Sequence, residues 1–140
     1  MRYGAHTDYD GFTILQRPLS SVGTTDGLEI QTTSGDWIPV SSPPHSLTIN
    51  IGDLLARWTN DRWRATTHRV APASPAPAGQ PPSSGRLSIV YFTGPAPDTL
   101  VACLPGAKCA ENGKARYEPI TASAHVEMKM LAATAAARDS

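Results

Sequence analysis

Short runs of alternating apolar and polar residues, each closed by a turn residue, fill most of this chain and limit it to a β-rich architecture. Alternation places successive side chains on opposite faces, which suits a strand with one buried side. Phe12-Thr13-Ile14-Leu15-Gln16 is apolar and β-branched, and Pro18 ends it. Leu28-Glu29-Ile30-Gln31-Thr32 alternates, Ser34-Gly35-Asp36 turns, and Trp37-Ile38-Pro39-Val40 resumes the extended pattern, so the two segments read as a hairpin. Ser46-Leu47-Thr48-Ile49-Asn50-Ile51 alternates and stops at Gly52-Asp53. Thr66 to Val70 reads as a further short strand, and Arg86 to Thr93 as the longest, closed by Gly94-Pro95. Strands this short and this closely spaced predict a β-sandwich or barrel.

Two stretches break the pattern. Residues 72 to 85 hold five prolines among Ala, Ser and Gly, as expected of a surface loop between two strands. Residues Thr121 to Ala137 are Ala-rich and predict a C-terminal helix, with Thr121 or Ser123 as its N-cap and Val126, Met130 and Ala133 on one face. The sequence holds 140 residues, enough for a single domain over 1–140.

Composition excludes several function classes. Twelve basic and twelve acidic side chains cancel, so no whole-chain field attracts nucleic acid or an anionic membrane. No apolar run reaches the roughly 18 residues that a membrane span needs, and Met1-Arg2-Tyr3-Gly4-Ala5-His6 has no signal-peptide character. Cys103 and Cys109 are the two cysteines, too few for a disulfide scaffold. Reduced thiols in a cytoplasmic protein are the expectation.

The residues that carry chemistry start at His6-Thr7-Asp8. In an extended segment, positions i and i+2 share a face, so the His6 imidazole and the Asp8 carboxylate can converge on one centre. His68, on the strand-like segment 66–70, is the best third ligand. Two histidines and a carboxylate form the facial triad of non-haem Fe(II) sites, which leaves open positions on the metal. His45 follows Pro43-Pro44 and reads as an exposed loop residue, and His125 falls in the predicted helix as a solvated or packing residue. On a continuous strand Arg86 and Ser88 share a face, where a guanidinium and a hydroxyl make a carboxylate clamp.

The order of these motifs resembles the C-terminal catalytic domain of the Fe(II)- and 2-oxoglutarate-dependent dioxygenases, in the isopenicillin N synthase-like branch. The resemblance rests on Gly4-Ala5-His6-Thr7-Asp8-Tyr9, Asn50-Ile51-Gly52-Asp53-Leu54-Leu55 with Trp58-Thr59-Asn60, Thr67-His68-Arg69-Val70, Arg86-Leu87-Ser88-Ile89, and Tyr117-Glu118-Pro119-Ile120. It implies a double-stranded β-helix, a jelly-roll relative. It implies Fe(II) held by His6, Asp8 and His68, and 2-oxoglutarate held at its distal carboxylate by Arg86 and Ser88. With O2, such a site couples decarboxylation of 2-oxoglutarate to hydroxylation or desaturation of a small molecule, and Tyr9 is a candidate for the substrate side. Asn50, Asp53 and Asn60 read as turn and hydrogen-bonding residues.

Two features depart from the family pattern. His68 and Arg86 stand 18 positions apart because of the Pro-rich loop. Only five residues precede His6, where relatives carry a helical N-terminal region and the first strands of the β-helix. The expectation is therefore a β-helix incomplete at its N-terminal side, covered by a homodimer or a partner chain. Two alternatives stay open beside the dioxygenase. One is a metal-binding remnant, or partner-dependent fragment, with impaired turnover. The other is an oxidase of the same fold that needs no 2-oxoglutarate.

Overall fold

The computed structural model describes residues 3–17, 27–72, 87–105 and 114–138. Arg86, Cys109 and residues 73–85 of the Pro-rich loop lie outside them. In chain order the strands are β1 (Tyr3–His6), β2 (Phe12–Gln16), β3 (Leu28–Gln31), β4 (Trp37–Pro39) and β5 (Thr48–Ile51). Helix α1 (Asp53–Trp58) follows, then β6 (His68–Val70), β7 (Ile89–Thr93), β8 (Leu100–Val101), β9 (Ile120–Thr121) and helix α2 (Ala122–Arg138). A four-stranded sheet has the order β1-β6-β3-β4, a three-stranded sheet the order β5-β2-β7, and β8 pairs with β9.

The described residues group into two compact units. The first contains residues 3–7, 14–17, 27–49, 66–72 and 87–91. Its four-stranded sheet is antiparallel throughout. The expected hairpin is present as β3 and β4, with Ile30 opposite Ile38 and Gln31 opposite Trp37. Gly35 closes it at φ 93°, a left-handed conformation that glycine adopts without steric cost. On β6, Arg69 bonds Glu29 at 2.7 Å and lies 4.0 Å from the centre of the Trp37 ring, a cross-strand stack over three strands. Arg17 is buried, and its guanidinium donates to the carbonyls of Val40 and Ser41 and to Thr48 Oγ1, so the buried charge is hydrogen-bonded.

The second unit contains residues 8–13, 50–65, 92–105 and 114–138. Its core is Leu54 of α1, Val101 of β8 and Ala122 of α2, with Trp58 packed against them. Leu54 is fully buried, which is worth about 1.5–3 kcal/mol in transfer free energy. Pairing of Leu100 with Thr121 and Val101 with Ile120 brings the start of α2 onto this core. Beyond α1, Asn60 and Asp61 take left-handed backbone conformations (φ 54° and 63°). The Asp61 carboxylate there accepts bonds from Arg116 at 2.9 Å and from the Tyr117 hydroxyl at 2.8 Å.

Five elements differ from the sequence expectation. Helix α1 interrupts what reads as a turn, because Gly52-Asp53 starts a helix too short to display a period. Strand β7 begins at Ile89, so Leu87 and Ser88 precede the strand. Arg86 lies outside the described residues, and with it the face it was expected to share with Ser88. Strands β5 and β6 begin two residues later than their alternation suggests, at Thr48 and His68. Finally, α2 turns a different face inward. Ala122 and His125 are buried while Met130 is 57% exposed, because the β8–β9 pairing fixes the rotation of the helix from its first residue. Thr121 is the residue that caps it, its Oγ1 accepting the Ala124 N–H at 3.3 Å.

Candidate metal centre

Strand pairing sets the two histidines. β1 ends and β6 begins at directly opposed residues, His6 and His68, after an irregularity in the β1 register. Their ring centroids are 4.3 Å apart at an interplanar angle of 53°. Each ring is tied by the same device. His6 Nδ1 bonds the Gly4 carbonyl at 2.8 Å, and His68 Nδ1 bonds the Thr66 carbonyl at 3.1 Å. A carbonyl oxygen can only accept, so each ring donates from Nδ1, which leaves Nε2 as the nitrogen available to a metal. This is how proteins set a metal-binding histidine. The Tyr3 ring stands edge-on to His6, with centroids 4.6 Å apart.

Only Thr7 separates Asp8 from His6. The Asp8 carboxylate is buried, and its Oδ2 accepts two bonds, from Thr13 Oγ1 at 2.5 Å and from Asn50 Nδ2 at 2.8 Å. Its backbone is also held, because the Asp53 N–H donates to the Asp8 carbonyl at 2.8 Å. Two more bonds continue this zipper: Leu54 N–H to the Asp10 carbonyl at 3.1 Å and Gly52 N–H to the Gly11 carbonyl at 2.8 Å. The approach requires glycine at position 52, where a Cβ would collide with the Asp10 carbonyl oxygen.

His6, Asp8 and His68 each offer one ligand atom, and these atoms lie within 4.8 Å of one another. Two imidazole nitrogens and one carboxylate oxygen are a donor set for a divalent first-row metal with open coordination positions. The fixed tautomers and the doubly bonded Asp8 oxygen supply the outer hydrogen bonds that such a site needs. The residues present thus fit an Fe(II) ion.

The other sequence candidates are placed differently. Ser88 is exposed, immediately before β7. Tyr9 is half-buried, with the Lys129 ammonium 5.6 Å from its ring centre. His45 is exposed, in a left-handed turn conformation. His125 is a buried packing residue on α2, and burial holds its imidazole below the ordinary histidine range, with nearby Arg57 adding to the effect. Cys103 is half-buried. Thr13 and Asn50 are the residues that sequence reasoning did not assign to the centre. Asn50 had read as a hydrogen-bonding residue, and its partner is the Asp8 carboxylate, 42 positions earlier.

Comparison with known proteins defines the class. The family model of the 2OG-Fe(II) oxygenase superfamily matches residues 1–95, and the chain belongs to that family. The antiparallel sheets and the C-terminal helix are the corresponding part of a double-stranded β-helix, a jelly roll. Among curated relatives, the proline hydroxylase buaE of Petromyces alliaceus is 37% identical over 135 residues, which are 94% of this chain and 40% of that protein. The 2-oxoglutarate-Fe(II) type oxidoreductase hxnY of Emericella nidulans is 34% identical over 84% of this chain and 30% of its own length. Full-length Neurospora crassa T7H, solved with alpha-KG and thymine, superposes with a TM-score of 0.74 at 32% identity, over 94% of this chain and 37% of that one. The chain thus spans between 30% and 40% of the length of these relatives.

Proposed function

We propose that this chain carries the iron centre of an Fe(II)- and 2-oxoglutarate-dependent dioxygenase that hydroxylates or desaturates a small molecule. His6, Asp8 and His68 hold the metal. Arg86 and Ser88 hold the distal carboxylate of 2-oxoglutarate, and Tyr9 stands on the substrate side. The observation that carries the reading is the approach of three ligand atoms to within 4.8 Å of one another, in a chain of this superfamily.

When bound, Fe(II) supplies the redox chemistry and the open positions at which O2 and 2-oxoglutarate react. The chain's own residues orient and hold. The Nδ1–H bonds to the Gly4 and Thr66 carbonyls keep each imidazole from rotating out of ligating position. Thr13 and Asn50 hold Oδ2 of Asp8 and fix the plane of the carboxylate that would be the third ligand. The Arg86 guanidinium suits a terminal carboxylate because it can donate two parallel bonds to it.

The test is succinate formation from 2-oxoglutarate in the presence of Fe(II) and O2. Wild-type protein should form succinate, and His68→Ala and Asp8→Ala should form none. A folded wild-type sample without iron-dependent turnover would contradict the reading. A second reading rests on the 30–40% of relatives' length that the chain spans. In it the chain binds metal, and turnover needs further polypeptide, either a partner chain or a second copy. Metal binding without succinate would favour that reading.

A further inference from the structure

Asp53 links helix α2 to the metal-binding segment. The Asp53 carboxylate is 15% exposed, and its Oδ2 lies 2.8 Å from Lys129 Nζ and 4.0 Å from His125 Nε2, both on α2. Burial keeps the His125 imidazole below its ordinary pKa, so Lys129 is the standing cation of this group. The same Asp53 donates its backbone N–H to the carbonyl of Asp8, the carboxylate ligand. Its neighbours Gly52 and Leu54 donate to Gly11 and Asp10 on either side. An ion pair between partly buried groups is screened less than one in open solvent, so it can hold a backbone in place.

From this arrangement we infer that Asp53 and Lys129 are positioning residues for the metal ligand Asp8. The ion pair with α2 fixes the Asp53 backbone, and the Asp53 N–H fixes the segment that presents the Asp8 carboxylate. The C-terminal helix therefore sets metal affinity without touching the metal. This inference rests on the assignment of Asp8 as a ligand, and its test separates the two. Groups hydrogen-bonded to a metal ligand change affinity by about 10–100-fold when removed, and a partner one bond further out belongs at the low end.

The experiment measures Co(II) binding, as a redox-stable probe for the Fe(II) position, by visible absorption in competition with a chelator. Wild type, Lys129→Met, Asp53→Asn, the double variant, Lys129→Arg and Met128→Ala are compared at a temperature where circular dichroism shows each to be folded. Lys129→Met should bind about 10-fold more weakly, Asp53→Asn by a similar factor, and the double variant no worse than either, because one linkage is broken in all three. Lys129→Arg should restore binding to within about twofold of wild type, whereas Met128→Ala, an exposed change on the same helix, should leave it unchanged. The inference is overturned if folded Lys129→Met binds with wild-type affinity. It is also overturned if the two single effects add, if arginine fails to rescue, or if Met128→Ala weakens binding equally. Wild-type protein that takes up no Co(II) overturns the metal-centre reading itself, and this inference with it.

Discussion

One carboxylate oxygen organises the candidate centre at the residue scale. Oδ2 of Asp8 is buried and takes both the Thr13 hydroxyl and the Asn50 amide. Two donors on one oxygen saturate it and fix the plane of the carboxylate, which sets the direction in which the other oxygen meets a metal. Asn50→Ala and Thr13→Val should each weaken Fe(II) or Co(II) binding about 10-fold or more, measured by competition titration. Wild-type affinity in both variants would mean that the carboxylate is held by something else. The three candidate ligands were legible in the sequence, His6 and Asp8 from their spacing on an extended segment and His68 from its strand-like surroundings. Thr13 and Asn50 were not legible in that role. Asn50 lies 42 positions from its partner, and no local pattern distinguishes an asparagine that caps a turn from one that reaches a distant carboxylate.

Strand existence was plain from alternation at the element scale, whereas strand limits were not. β2 matches its expected bounds, Phe12 to Gln16, a run with Thr13 and Ile14 β-branched and Pro18 just beyond it. β7 begins at Ile89, since alternation continues through Leu87 and Ser88 whether or not they pair. Arg86 lies outside the described residues, so its pairing with Ser88 stands on the family resemblance. Helix α1 escaped notice because its six residues offer fewer than two turns of period. The approach of α1 to the segment after Asp8 depends on Gly52, where any Cβ strikes the Asp10 carbonyl oxygen. Backbone on backbone cannot yield as a flexible side chain can. Gly52→Ala should therefore destabilise the fold by about 1–3 kcal/mol in urea denaturation, the cost of an overpacked contact. An unchanged midpoint would show that the two segments are not held as closely as the hydrogen bonds between them indicate.

Charge and length act at the scale of the whole molecule. The sequence balances 12 basic against 12 acidic residues. Only 17% of residues are charged, against about 25% in an average soluble protein. The structure gives that shortage a place: Ile89, Val90, Tyr91 and Phe92, consecutive residues on β7, are all exposed. Among the described residues, no helix is long and apolar enough to cross a membrane. The chain spans 30% of hxnY and 40% of buaE, yet it contains His6, Asp8 and His68 together with the residues that hold them. The central claim is that these residues suffice to bind the metal. Anaerobic calorimetric titration with Fe(II) tests it directly, comparing wild type with His68→Ala at matched circular dichroism. The account predicts a single Fe(II) per wild-type chain and none in the variant. Equal uptake by both proteins, or none by the wild type, would contradict it.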